Sequence, residues 1–563
     1  MKTVAWITLF SIAALCTAAV AAQSADRAVP DLHATLINYL QGTDDVLPRP
    51  FPDRHPVSAV ENREAIIPPQ CYTQTEGRYN PCYVCHQNAK AGRENTMNDG
   101  ALQLDYSFSD VGLTNRWTNL FRDRTRAVSA ITENAILAWV EQDNYSALPK
   151  RLKEADFGGW IPDLRGLQEG KAAFDAEGFA RDGSHWVAFN YKPLPSTFWP
   201  TNGSTDDIMI RLPEAFRQDV SGRYSRDIYK ANLAIVEANI KNLEHISVTA
   251  IDETAVGFDL DGDGNLSVTH TLRRPPHYVG AARPEFSDTY LYPEGTEFLH
   301  TVRYLGFDAD GHIVPSRRIK EVRYMRKAVA YRKSVYQRYY QLEAYAKEVG
   351  RLPQYAYLGD RGLDNGSGWA LQGFIEGRSG ALRALTYEEN LQCMGCHSSV
   401  GATIDKTFGL PRKVDGAAGW GYINLRGMPD VPNRGETRGE IAIYLERVGG
   451  GGEFRSNPEM QRRWFKPGGE ADISRIAAAP DVYALITPSR ERALQLNKAY
   501  KVIVDEQSFV LGRDATVTPP VNVYAEIDNA KTPTLPPEKF VDWDIRLDWG
   551  KAGEQLADDF NKR

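Results

Sequence analysis

Two copies of one short pattern constrain this chain more than any other feature. Cys82-Tyr83-Val84-Cys85-His86 is the first and Cys393-Met394-Gly395-Cys396-His397 the second, 311 residues further on. Cys-x-x-Cys-His is the spacing at which two thiols add across the vinyl groups of one haem while the adjacent imidazole lies under the iron. A structural zinc site needs a second ligand pair close by, and none is near either copy. A redox dithiol has no use for the trailing histidine. With six cysteines in 563 residues, two such pentapeptides are not a product of composition. The pattern predicts two covalent haem c groups on Cys82 and Cys85 and on Cys393 and Cys396, with His86 and His397 as proximal iron ligands.

The start of the chain predicts export. Lys2 precedes an apolar run from Val4 to Leu15, too short to span a bilayer, and small residues at positions 19–22 suit cleavage near 21–22. Cys16 falls in the removed segment, and Leu15 before it does not suit a lipid-modified cysteine. No later stretch reaches 18 uninterrupted apolar residues, so no transmembrane segment and a periplasmic mature chain are expected. Removal of 1–22 leaves 65 basic against 73 acidic residues, a net charge of −8 that argues against nucleic acid as partner.

At the level of these pentapeptides the chain resembles the c-type cytochromes. Around the second copy, Trp369-Ala-Leu-Gln-Gly-Phe-Ile and Tyr387-Glu-Glu-Asn-Leu-Gln look like large uncharacterised bacterial dihaem proteins. The separation of the copies departs from the compact dihaem peroxidases, so no peroxidase residue is carried over. The resemblance implies electron transfer with redox partner proteins, and an oxidoreductase if one haem keeps an open site for a small-molecule substrate. A pure carrier with two six-coordinate haems and a redox sensor or scaffold are the alternatives. No catalytic residue is named.

Sixth ligands are sought among methionines and histidines. Met428, in Leu425-Arg-Gly-Met428-Pro429, is the candidate for the second haem, with Met460 its rival, and Met97 for the first. His33, His55, His185, His245, His270, His277, His300 and His312 are further candidates, with His185 and His300 in the most apolar surroundings. Cys71 is left over, and a thiolate ligand to the first haem is one use for it.

The expected architecture is α+β and multidomain, with mainly helical haem-binding regions and a mixed, strand-containing middle. A signal peptide at 1–22 precedes an N-terminal haem domain at 23–160. A middle domain follows at 161–315, a second haem domain at 316–430 and a C-terminal region at 431–563. Helices are expected at 118–141, 226–242 and 439–448, and strands at Trp186, His245–Ile251, Thr301–Phe307 and Tyr500–Val504. The stretch 316–350 carries ten bases and six tyrosines and reads as one long basic helix. Asp259, Asp261, Asp263 and Asn265 recur at alternate positions around Gly264, as in the first half of a calcium loop. His270 stands where that loop ends in glutamate, so a remote carboxylate would have to complete a Ca2+ site.

Overall fold

The computed structural model describes residues 66–88, 100–106, 108–195, 198–348, 355–397, 400–450 and 457–550, with 552, 553 and 556. The leader, His33, His55 and Met97 lie outside the described residues.

An eight-stranded antiparallel sheet organises the chain. Its strands are β1 (Val187–Ala188), β2 (Thr205–Arg211), β5 (Glu297–Phe307), β6 (Ile313–Lys327), β7 (Ala356–Tyr357), β8 (Leu363–Asp364), β9 (Trp369–Glu376) and β10 (Leu382–Ala384). Their order is β1-β2-β5-β6-β9-β8-β7, with β10 also on β9. A separate hairpin pairs β3 (His245–Asp252) with β4 (Val268–Arg273). Helices and strands alternate irregularly, so the fold is an α+β mix.

Strand alternation gives the large sheet two apolar faces. Met209, Leu299, Val322 and Phe374 face a layer built from Tyr145, Leu148, Leu164 and Trp186. Ile210, Phe298, Met325 and Leu371 face the other way, onto the helix Arg226–Lys241 through Tyr229, Leu233 and Val236. That helix starts at Ser225, whose side chain accepts from Ile228 N, and ends at Asn242 in the left-handed region, φ 51°.

Three expectations about local structure are corrected here. Residues 313–327 form β6, and only Lys333–Glu348 is helical within the supposed basic helix. The misreading has a physical cause. Buried cations interrupt the apolar alternation: Arg318 is paired with Glu376 and Lys327 with Asp405, each with its partner almost fully buried. Register shifts around Arg303 break the period again. Tyr500–Val504 is not a strand but part of the helix Arg490–Glu506, whose Tyr500, Ile503 and Val504 pack on Tyr304 and Leu305. The expected helix at 118–141 is divided into Thr118–Phe121, Thr125–Ala130 and Glu133–Val140. Ile131 turns extended, and Thr132 caps a new start by accepting from Ala135 N at 3.2 Å.

Candidate functional site

The second pentapeptide is placed by the sheet. Tyr387–Leu391 is a short helix closed by a capping box between Thr386 and Glu389. Arg383, just before it in β10, grips the Glu389 carboxylate through two bonds of 2.8 Å. The chain then turns into the helix Met394–His397, with Met394 and Leu391 buried in the core beneath the sheet. Asn365 Nδ2 donates to the His397 carbonyl at 3.1 Å, and Gln392 Nε2 to Phe509 O at 2.7 Å.

The sheet face toward this segment changes from apolar to polar within two rows. Ile210, Phe298, Met325 and Leu371 are register partners across β2, β5, β6 and β9. One step along the same face come Ile208, His300, Arg323 and Gly373, and a further step brings Asp206, Val302, Glu321 and Ile375. His300 and Arg323 are therefore directly opposed. His300 Nε2 lies 3.3 Å from Asp206 Oδ2, and its ring meets Phe198 edge-on at 5.4 Å. Arg323 Nε donates to Glu321 at 3.0 Å, and Arg513 Nη1 donates to the same carboxylate at 2.7 Å. Burial raises Glu321's pKa, but the two guanidinium groups outweigh it and hold the acid at about 2.

His397 belongs to this polar patch. Burial pushes its pKa down to about 4, with Arg323 and His300 pushing the same way and the Lys406 backbone opposing. Its Nδ1 is buried without a hydrogen-bond partner among the described residues. Cys393 and Cys396 lie beside the same arginine. Burial raises both thiols, Cys396 to about 11, while Arg323 works against the rise.

The first pentapeptide lies in irregular chain. Cys82–Val84 is a single 3-10 turn, and Cys85 N and His86 N both reach back to the Cys82 carbonyl. Asn80 Oδ1 accepts from Tyr83 N at 3.2 Å, and Trp543 Nε1 donates to Tyr83 O at 2.8 Å. Gln103 completes the clamp: its Nε2 donates to His86 O at 2.6 Å and to Val541 O at 2.9 Å.

Folding brings the two pentapeptides together. A Cβ on Gly395 would meet the Ile66 carbonyl at 2.3 Å and Pro68 at 3.2 Å, so only glycine lets that segment lie against the second motif. The same segment leads into the turn Pro69–Tyr72, which carries Cys71. Burial first, then the neighbouring thiols of Cys82, Cys85 and Cys396, raises the Cys71 thiol well above its ordinary value. No disulfide joins the five described cysteines, each half-buried.

The remaining sequence candidates scatter. Met428 is fully buried in an apolar cluster with Tyr83, Val84, Val431 and Leu445, whereas Cys393 and Met394 pack in a different cluster. Phe408 packs against that same cluster and meets the His397 ring edge-on at 5.8 Å. Met460 shares that cluster, and its sulfur takes an Arg463 Nη1 contact at 3.7 Å. His185 stacks on Tyr224. Of the described histidines weighed, His300 is the one whose charge acts on His397; the signal was its strand position, opposite Arg323.

In the acidic loop, ligand atoms of Glu253, Asp259 and Asp261 lie within 4.8 Å of one another. Asp263 is not one of these three; its Oδ1 accepts from Asn265 N at 2.7 Å, closing the turn. Glu253 was missed in the sequence because it precedes the loop, in the short helix Glu253–Val256. Asp308, Asp310 and His312 form a second group of the same kind.

Fold and site define an α+β protein with one thiol–imidazole segment docked on a sheet and a second in irregular chain, with the turn that carries Cys71 between them. The profile of a family described as "-like lipoprotein" matches residues 55–482. The chain is also 32% identical over 514 residues to an "Uncharacterized lipoprotein" of Aquifex aeolicus (strain VF5), covering 80% of this chain and 86% of that one. The chain belongs to this lipoprotein family. No solved structure matches it.

Family membership corrects the assignment to the c-type cytochromes. It also removes the functional reading built on that assignment, an electron-transfer cytochrome or haem oxidoreductase. Two pentapeptides are ten positions, and they specify chemistry at those positions rather than descent across the chain; the match over residues 55–482 identifies the family. A lipoprotein family is consistent with export. Among the described residues no helix is long and apolar enough to cross a membrane.

Proposed function

We propose that this lipoprotein-family member is an exported holder of two covalently attached haem groups. Cys82 and Cys85 take one as thioethers and Cys393 and Cys396 the other, with His86 and His397 facing the irons. The observation that supports this reading is that two Cys-x-x-Cys-His segments, 311 residues apart in sequence, both neighbour the Ile66–Tyr72 segment that carries Cys71.

The residues present fit such a group. A neutral imidazole is the form that binds iron, and His397, with its pKa near 4, is neutral at physiological pH. Among the described residues the groups of three that converge to within 4.8 Å are the two acidic ones, not the motif thiols and imidazoles. Arg323, beside Cys393 and His397, supplies positive charge for a group that carries carboxylates. Bound haem would contribute iron chemistry; the chain contributes attachment, imidazole and shielding from water. The periplasm is the compartment proposed, and Glu253, Asp259 and Asp261 are proposed to hold Ca2+.

Intact-mass measurement of the full chain, exported from a host that attaches haem to such motifs, tests the reading. Two haem increments are expected. Cys82→Ala/Cys85→Ala and Cys393→Ala/Cys396→Ala should each remove one. A chain recovered without increments defeats the proposal. For the loop, added Ca2+ should raise the unfolding temperature, and Glu253→Gln should abolish that rise.

A further inference from the structure

The polar patch contains a second histidine that attachment to the pentapeptide does not use. We propose that His300 would be a second protein ligand to the iron of a haem carried at Cys393 and Cys396, with Asp206 as its positioning residue. The inference rests on the haem reading above and adds the group on the far side of the iron.

Geometry carries it. His300 comes from β5 and His397 from the segment docked on the same sheet face, so the two imidazoles reach the site from different elements. Ile208, the register partner of His300 on β2, packs against the same apolar cluster as Cys393, which sets His300 on the sheet face where the second pentapeptide docks. One His300 nitrogen is taken by Asp206 at 3.3 Å. Asp206 is buried on β2, where Ile208, two residues on, pairs with His300. A ligating histidine characteristically gives its other nitrogen to a carboxylate, which fixes the ring and raises its donor strength. The pair therefore has the form of a ligand and its support, with the remaining nitrogen left for a metal.

The surroundings agree. Phe198 packs edge-on against the imidazole at 5.4 Å and restricts its rotation. Arg323 is engaged by Glu321 at 3.0 Å, which keeps the cation from competing for Asp206. A side chain fixed on the central strands of a sheet is a more exact ligand than one on a loop, because backbone pairing on both sides sets its position.

The test uses the full chain carrying Cys82→Ala/Cys85→Ala, so that a single haem remains, and reads its absorption and EPR spectra. The expected starting spectrum is low-spin. His300→Ala should convert it to high-spin, and millimolar imidazole added to that variant should restore the low-spin form. Asp206→Asn should keep the low-spin spectrum but let exogenous imidazole displace His300 at lower concentration. If the double-alanine chain does not fold, the same substitutions are made in the dihaem protein, where about half of the low-spin signal should convert. An attached haem whose spectrum ignores His300→Ala overturns the inference and leaves the haem reading standing. Absence of a haem increment on the second pentapeptide overturns the reading itself, and the inference with it.

Discussion

The first pentapeptide sits in irregular chain and is held by neutral amide and indole groups, from Asn80, Gln103 and Trp543. The second sits against a sheet and adds charge to its amide bonds from Asn365 and Gln392: Arg383 on Glu389, Arg513 on Glu321, and Lys327 on Asp405 in the segment that follows it. The same five-residue chemistry is thus supported in two ways. Neutral bonds cost little to bury but each adds little, roughly 1 kcal/mol net. Buried ion pairs add little net stability while intact, yet losing one partner is expensive because the other charge stays desolvated. The comparison implies that the second site is the more brittle to single substitutions and the first the more gradual.

The largest expected effect is at Lys327. Its ammonium is fully buried, 2.7 Å from Asp405, and also donates to Tyr336 Oη at 2.6 Å. Lys327→Met should cost about 3–5 kcal/mol by urea unfolding, most of it recovered on adding Asp405→Leu. A loss under about 1 kcal/mol would break the contrast between the sites. Gln103→Ala comes next. It removes the bonds to His86 O and Val541 O and leaves Val541 N without its 2.8 Å acceptor. A loss of about 1–3 kcal/mol is expected. Protease sensitivity should rise near residues 82–86 and not near 393–397.

A third test sharpens the comparison through pH. His397 titrates at about 4 in the folded chain, below its ordinary 6.5, chiefly because it is buried. Between those values the unfolded chain binds the extra proton, so folding stability rises with pH across the window and is fully present above it. Acidification of the haem-free chain from pH 7 to pH 4 should therefore remove a contribution that His397→Gln lacks. Urea midpoints of the two chains at both pH values measure it. Equal pH dependence in the two would remove His397 from the buried patch.

Regular amphipathic elements were legible in the sequence. The helix Arg226–Lys241 and the strands at His245 and Thr301 follow from apolar periodicity, and Glu440–Val448 lies where a helix was expected. Strand β6 was not legible, because Arg318, Lys320 and Lys327 are buried on it and read as a solvated helix. Tyr500–Val504 was misread because a short β-branched run satisfies both periods, and only the cap at Ser489 and packing on β5 select the helix. His300 could be ranked with His185 ahead of six other histidines but not separated from it. Its neighbours Asp206 and Arg323 come from strands 94 residues before it and 23 after it.

The sequence by itself determined the residue chemistry: two Cys-x-x-Cys-His pentapeptides, an acidic turn and an exported start, each a local pattern whose spacing carries its meaning. The tertiary structure decided which of these act together. The register of β2, β5 and β6 places Asp206, His300, Arg323 and Glu321 on one face, and Gly395 admits the Ile66–Pro68 segment that joins the two motifs. Sheet register and close backbone approach depend on pairings between residues tens to hundreds of positions apart, and no local pattern encodes them.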